Sequence, residues 1–139
     1  MRADDAVRLF TAASVARLAT VDAAGRPTIV PICFVVDGDT VYSAVDDKPK
    51  TTQRLARLGN VALHPHVALL ADHYDEDWAT LWWVRADGKG RELAPGDERD
   101  RAVAHLRSKY PQYEQHILDG PVLAVDVSSW RGWSATPPA

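Results

Sequence analysis

Val7, Leu9 and Phe10 are the apolar positions of an otherwise polar stretch from Asp4 to Ala13, which predicts a short helix closed by Ser14. The pattern then changes. Val15 to Val21 reads as a strand, and Asp22-Ala23-Ala24-Gly25-Arg26-Pro27 supplies the glycine and proline of a hairpin loop. Thr28 to Val36 is a β-branched run interrupted by Pro31, and a proline there implies a sheet edge or a bulge. Asp37-Gly38-Asp39 is a tight-turn signal that pairs Val35-Val36 antiparallel with Thr40 to Val45. Thr51 to Leu58 has helix-forming character, with Leu55 and Leu58 on one face and Gly59-Asn60 as the stop. His66 to Tyr74 and Leu81 to Leu93 read as two more strands joined by the polar Asp75-Glu76-Asp77, with turn character at Asp87-Gly88. Asp97 to Tyr110 is a second long helix ended by Pro111, and Pro121 to Val127 is a last strand before a linker-like tail from Ser134. Strands linked mostly by hairpins predict a mainly β fold, a six-stranded antiparallel split barrel with peripheral helices.

The chain has 139 residues, the size of one domain, so residues 1–139 are read as a single unit. Its 46% hydrophobic and 25% charged content is that of an ordinary globular protein. A net charge of −3 gives no general attraction for nucleic acid, so any anion site has to be local. The single Cys33 can form no disulfide within the chain, Met1-Arg2-Ala3-Asp4-Asp5 has no apolar leader, and no apolar run approaches the roughly 20 residues of a membrane span. These features predict a cytoplasmic protein that does not insert into a membrane.

Candidate chemistry begins at Asp46-Asp47-Lys48-Pro49-Lys50-Thr51-Thr52-Gln53-Arg54, where lysines precede a helix N-terminus. Cations there oppose the helix dipole at a cost of order 0.3–1 kcal/mol unless an anion compensates. Lys48, Lys50, the Thr51 and Thr52 hydroxyls and Arg54 would together cradle a phosphate. The alternative is a solvated loop in which Asp46 and Asp47 neutralise the lysines.

All 5 tryptophans lie in the second half, Trp78, Trp82 and Trp83 close to Tyr74, with Trp130 and Trp133 near the end. Trp82 and Trp83 are adjacent on a strand and point to opposite faces, so one is left for an interface or a planar ligand. Core packing and a subunit contact would also account for them. His64, His66 and His73 lack a further ligand for zinc, and Asp72, Asp75, Glu76 and Asp77 lack the glycine and final glutamate of a calcium loop, so no metal site is expected. Cys33, between Ile32 and Phe34, reads as a small core residue.

Taken in order, Ala16-Arg17-Leu18-Ala19-Thr20, Gly25-Arg26-Pro27-Thr28-Ile29-Val30-Pro31-Ile32, Lys48-Pro49-Lys50, Leu55-Ala56-Arg57-Leu58, Val67-Ala68-Leu69-Leu70 and Trp83-Val84-Arg85-Ala86-Asp87-Gly88 resemble one family. It is the pyridoxamine-phosphate-oxidase-like split-barrel superfamily, with its deazaflavin-dependent group B nearest. The resemblance runs from about Ala12 to Trp133. It implies a cofactor phosphate held by Lys48, Lys50 and Thr51, and a tricyclic ring lying along Pro31-Ile32 and Ser43-Ala44. It also implies that a second subunit closes the site through Trp82 or Trp83 and Trp133. The tail Ser129-Trp130-Arg131-Gly132-Trp133-Ser134 lacks the family's Arg- and His-bearing motif for vitamin B6 phosphate, which argues against that substrate. A lysine pair at the phosphate favours coenzyme F420 over FMN. The resemblance thus implies an F420-dependent oxidoreductase, a homodimer, that passes hydride to a small unsaturated substrate, with Tyr74, His73 and Arg85 as candidate proton donors. An FMN enzyme, or a flavin or tetrapyrrole carrier without turnover, is the alternative.

Overall fold

The computed structural model describes residues 1–45, 51–115, 118 and 120–138, with the backbone alone for residues 51–55. The chain runs α1 (Ala3–Ala12), β1 (Ala16–Val21), β2 (Pro27–Ile32), β3 (Val35–Asp37), β4 (Thr40–Ala44), α2 (Thr51–Leu63), β5 (His66–His73), β6 (Trp82–Glu92), α3 (Asp97–Lys109) and β7 (Val122–Ser134). All seven strands form one antiparallel sheet in the order β2-β1-β5-β6-β7-β4-β3, which curls into a split barrel.

Seven strands replace the six read from the sequence because the run from Thr28 to Val36 breaks at Cys33-Phe34. The break is held from three sides. The Tyr110 hydroxyl accepts from the Phe34 amide (2.9 Å) and lies within donating distance of the Phe34 and Ser14 carbonyls (3.0 and 2.9 Å). Lys109 Nζ donates to the carbonyls of Ala13 (2.7 Å), Phe34 (3.0 Å) and Thr11 (3.2 Å), and the Ser43 hydroxyl donates to the Cys33 carbonyl at 2.7 Å. Cys33 itself is half-buried at the margin of the core. The proline reading holds, since Pro31 pairs with Arg17 on β2, an end strand of the sheet where a missing donor costs least.

Three further expectations shift. Asp87-Gly88 is a bulge within β6, not a turn, and a side chain on Gly88 would fall on the carbonyl of Asp126. Gly59-Asn60 does not stop α2, which continues to Leu63 while Asn60 donates to the Thr20 hydroxyl at 3.2 Å. β7 reaches Ser134, seven residues beyond the expected Val127, because Trp130 and Gly132 alternate with Arg131 and Trp133 in strand fashion.

The sheet has two cores. Inside the curl lie Phe10, Leu18, Phe34, Leu69, Val84 and Val125, closed at one end by α1, whose Phe10 ring sits 4.8 Å from Phe34 and 5.3 Å from Trp130. Outside it, α3 covers the half built from β3, β4 and the start of β7, burying Tyr42, Leu106, Tyr110 and Val122. Among the described residues, the outer surface of β2, β1, β5, β6 and the end of β7 carries no helix of this kind.

Candidate functional site: the open face of the sheet

Antiparallel pairing puts directly opposed residues on one face, so the register defines what this open surface presents. One row reads Asp72, Trp83, Trp133 across β5, β6 and β7. Two residues further along, about 7 Å away at strand spacing, the next reads Pro31, Arg17, Leu70, Arg85, Arg131 across β2, β1, β5, β6 and β7. The third is Ile29, Ala19, Ala68, Asp87, Ser129. A groove of about 350 Å³ lies beyond, with Ala19, Val21, Pro27, His66, Ala68 and Asp87 among its walls.

Trp83 and Trp133 therefore stand side by side, while Trp82 points the other way and packs against the inner core. The opposed orientation of the two adjacent tryptophans is as the sequence reading has it. Pro31 shares the open face. Ile32, Ser43 and Ala44, by contrast, are buried. Thr51 and Arg54 lie on α2 with side chains outside the described residues, and Lys48 and Lys50 lie outside them altogether. Apart from the backbone of Thr51 and Arg54, the expected phosphate cradle thus lies outside the described residues.

At the upper end of the face, β5 and β6 are joined by a loop whose shape is set by its acids. Asp75 Oδ1 accepts from the Asp77 amide (2.9 Å) and the Thr80 hydroxyl (3.2 Å), its Oδ2 lies 2.8 Å from His73 Nε2, and Asp77 caps a 3₁₀ turn over Trp78–Thr80. The loop holds Tyr74 and Trp78 in solvent, 61% and 77% exposed. Arg85 is bound to Asp87 through Nε at 3.0 Å. Among the described residues no group of three His, Cys, Asp or Glu side chains is placed to hold a metal ion, and no helix is long and apolar enough to cross a membrane.

Arg17 and Arg131 are site-facing cations that the sequence reading did not single out. The signal for Arg131 was its alternation with Trp130 and Gly132, which extends the strand and turns Arg131 and Trp133 to one side.

The model of the family described as pyridoxamine 5'-phosphate oxidase matches residues 3–134. The chain belongs to this family. No match is found among curated protein sequences. Among solved structures, a conserved hypothetical protein of Mycobacterium tuberculosis superposes with a TM-score of 0.79 at 16% identity, over 97% of this chain and 86% of that one. A FAD-binding protein of Mesorhizobium loti gives 0.69 at 21% identity, over 95% and 94%. The heme storage protein HutZ of Vibrio cholerae gives 0.70 at 15% identity, over 96% and 95%. At these identities the likeness is one of fold, and within the pyridoxamine 5'-phosphate oxidase family that fold is the split barrel described above.

Proposed function

We propose that this member of the pyridoxamine 5'-phosphate oxidase family is an F420-dependent oxidoreductase, working as a homodimer on a small unsaturated substrate. The observation that carries the reading is the Trp83–Trp133 pair, two tryptophans directly opposed on a sheet face that carries no helix among the described residues. Trp133 is 43% exposed, a cost that a planar ligand or second subunit removes. The donor set suits an anionic, ring-bearing cofactor: indoles and Pro31 for a ring plane, and Lys48, Lys50, Thr51 and Arg54 at the start of α2 for a phosphate. When bound, a deazaflavin supplies the hydride chemistry. The protein's part is to fix the phosphate, hold the ring against the indoles and exclude water.

The FAD-binding neighbour favours a second reading, in which FMN takes the deazaflavin's place, and the heme storage neighbour favours a carrier without turnover. Fluorescence titration with F420 and with FMN separates the cofactors, and submicromolar affinity for FMN alone overturns the first reading. Turnover of a substrate panel with reduced deazaflavin then separates enzyme from carrier. Lys50→Ala removes a charge-assisted hydrogen bond worth about 1.5–3 kcal/mol, so affinity falls roughly ten- to a hundredfold. Without an anion the same lysine opposes the helix dipole, so the melting temperature of the cofactor-free protein stays level or rises slightly. Unchanged affinity would sink the phosphate assignment.

A further inference from the structure

Among the described residues two buried side-chain nitrogens have no hydrogen-bond partner, Nε of Arg57 and Nε1 of Trp130. They differ in consequence. Trp130 is neutral, and its ring packs edge-on against Phe10 at the inner core, where apolar contact accounts for its place. Arg57 cannot shed its charge, so a half-buried guanidinium without an acceptor opposes folding until something outside the described chain completes it. Burial lowers its pKa, and no described carboxylate offsets that effect. The other half-buried arginines among the described residues are each answered. Arg85 has Asp87, Arg99 has the carbonyls of Leu118 (2.9 Å) and Gly120 (2.6 Å), and Arg107 has the carbonyl of Tyr113 (2.7 Å).

The place of Arg57 on α2 indicates what its acceptor is. At about 100° per residue it lies between Asn60 and Val61, one turn earlier on the same face of the helix. That face is turned to the sheet: Asn60 donates to the Thr20 hydroxyl at 3.2 Å, and Val61 is 3% exposed in the inner core. Long helical side chains lean towards the N-terminus, so Arg57 runs along the sheet side of α2 towards its first turn. The leading amides of a helix lack partners within it, and the start of α2 therefore favours an anion. An unanswered guanidinium and a helix start thus call for a negative group at one place. We propose that Arg57 holds the phosphate of the cofactor, gripping it from the sheet side of α2 while the helix amides meet it end-on. This rests on the phosphate-bearing cofactor of the reading above and adds a residue that reading leaves out, with a discrimination that follows from it. A planar fork of N–H donors matches the paired oxygens of a phosphate, so the site favours phosphorylated flavins or deazaflavins over their phosphate-free counterparts.

The test compares the wild type with Arg57→Met, which keeps the apolar stem, and Arg57→Lys, which keeps the charge without the fork. Fluorescence titrations set FMN against riboflavin, and F420 against the deazaflavin that lacks its phosphate. For whichever pair the wild type binds, Arg57→Met should lose roughly ten- to a hundredfold in affinity for the phosphorylated member and nothing for the other, with Arg57→Lys in between. In melts of the cofactor-free proteins, Arg57→Met should be as stable as the wild type or more so, because an unpaired buried charge has gone. A wild type that binds both members of a pair equally, or an Arg57→Met whose preference for the phosphorylated member is intact, overturns the assignment of Arg57 and leaves the flavin reading standing. A cofactor-free Arg57→Met that melts well below the wild type with that preference intact shows a structural arginine and overturns it too. Binding of FMN but not F420, with a preference for phosphate that Arg57→Met abolishes, overturns the deazaflavin and supports Arg57. A wild type that binds none of the four overturns both.

Discussion

Lys109 shows how much of this fold hangs on single polar groups. Its ammonium reaches three carbonyls, two from the end of α1 and one from the break between β2 and β3, and lies 3.8 Å over the Phe34 ring. Replacing it by methionine keeps the stem and removes the donors, which costs about 1–3 kcal/mol in urea denaturation at neutral pH. Burial pulls the ammonium down to about 8 from 10.5, with Cys33 opposing more weakly. The folded chain therefore gives up this proton before the unfolded chain does, and between those two values the unfolded state binds more protons. Stability then rises with pH across that window. Melts of wild type and Lys109→Met from pH 8 to 10.5 should diverge in the wild type's favour, and parallel curves would remove the lysine from the account.

At the scale of elements, a charged cluster adds to the ties between α3 and the sheet. Arg91 on β6 forks between Glu98 on α3 (2.7 Å) and Asp126 on β7 (2.8 Å), and the Tyr42 hydroxyl on β4 donates to Glu98 at 2.7 Å. The Arg91 guanidinium, then the Tyr42 hydroxyl, hold the Glu98 carboxyl down to about 2 from 4.5, and Asp126 is lowered by the same guanidinium. These carboxylates stabilise the fold above their unfolded values and cease to as pH falls through the lowered ones. Arg91→Met should flatten that acid limb, by a modest amount because the groups are solvent-exposed, and added salt should shrink the difference. The bulge in β6 is the stiffer element. Gly88→Ala drives a methyl into the Asp126 carbonyl and should lose about 1–3 kcal/mol by chemical denaturation with the bulge displaced. Hairpins, helices and the opposed tryptophans were legible in the sequence because turn residues and period-two alternation are local. The bulge, the break at Cys33-Phe34 and the length of β7 were not. Each depends on a partner far along the chain, Asp126 for Gly88, Tyr110 for Phe34 and β6 for Arg131 and Trp133. The candidate site was half legible for the same reason: Trp83 and Trp133 were named, but their adjacency and the arginine row beside them follow from register alone.

For the molecule as a whole, the sheet order decides which backbone is left over. β2 and β3 are its two ends, joined through Cys33-Phe34 but not hydrogen-bonded to each other, so each keeps one unpaired side. Such edges invite strands from other molecules. β3 is three residues long, and β2 carries Pro27 and Pro31, which interrupt the row of amide donors that an incoming strand would need. Pro31→Val should leave melting cooperative while the heated protein acquires thioflavin-binding fibrils faster than the wild type, and identical fibril kinetics would show that the edge is guarded elsewhere. A proline that interrupts the strand pattern in the sequence is thus expected to guard this open edge against amyloid, a hazard that weighs most on chains newly made.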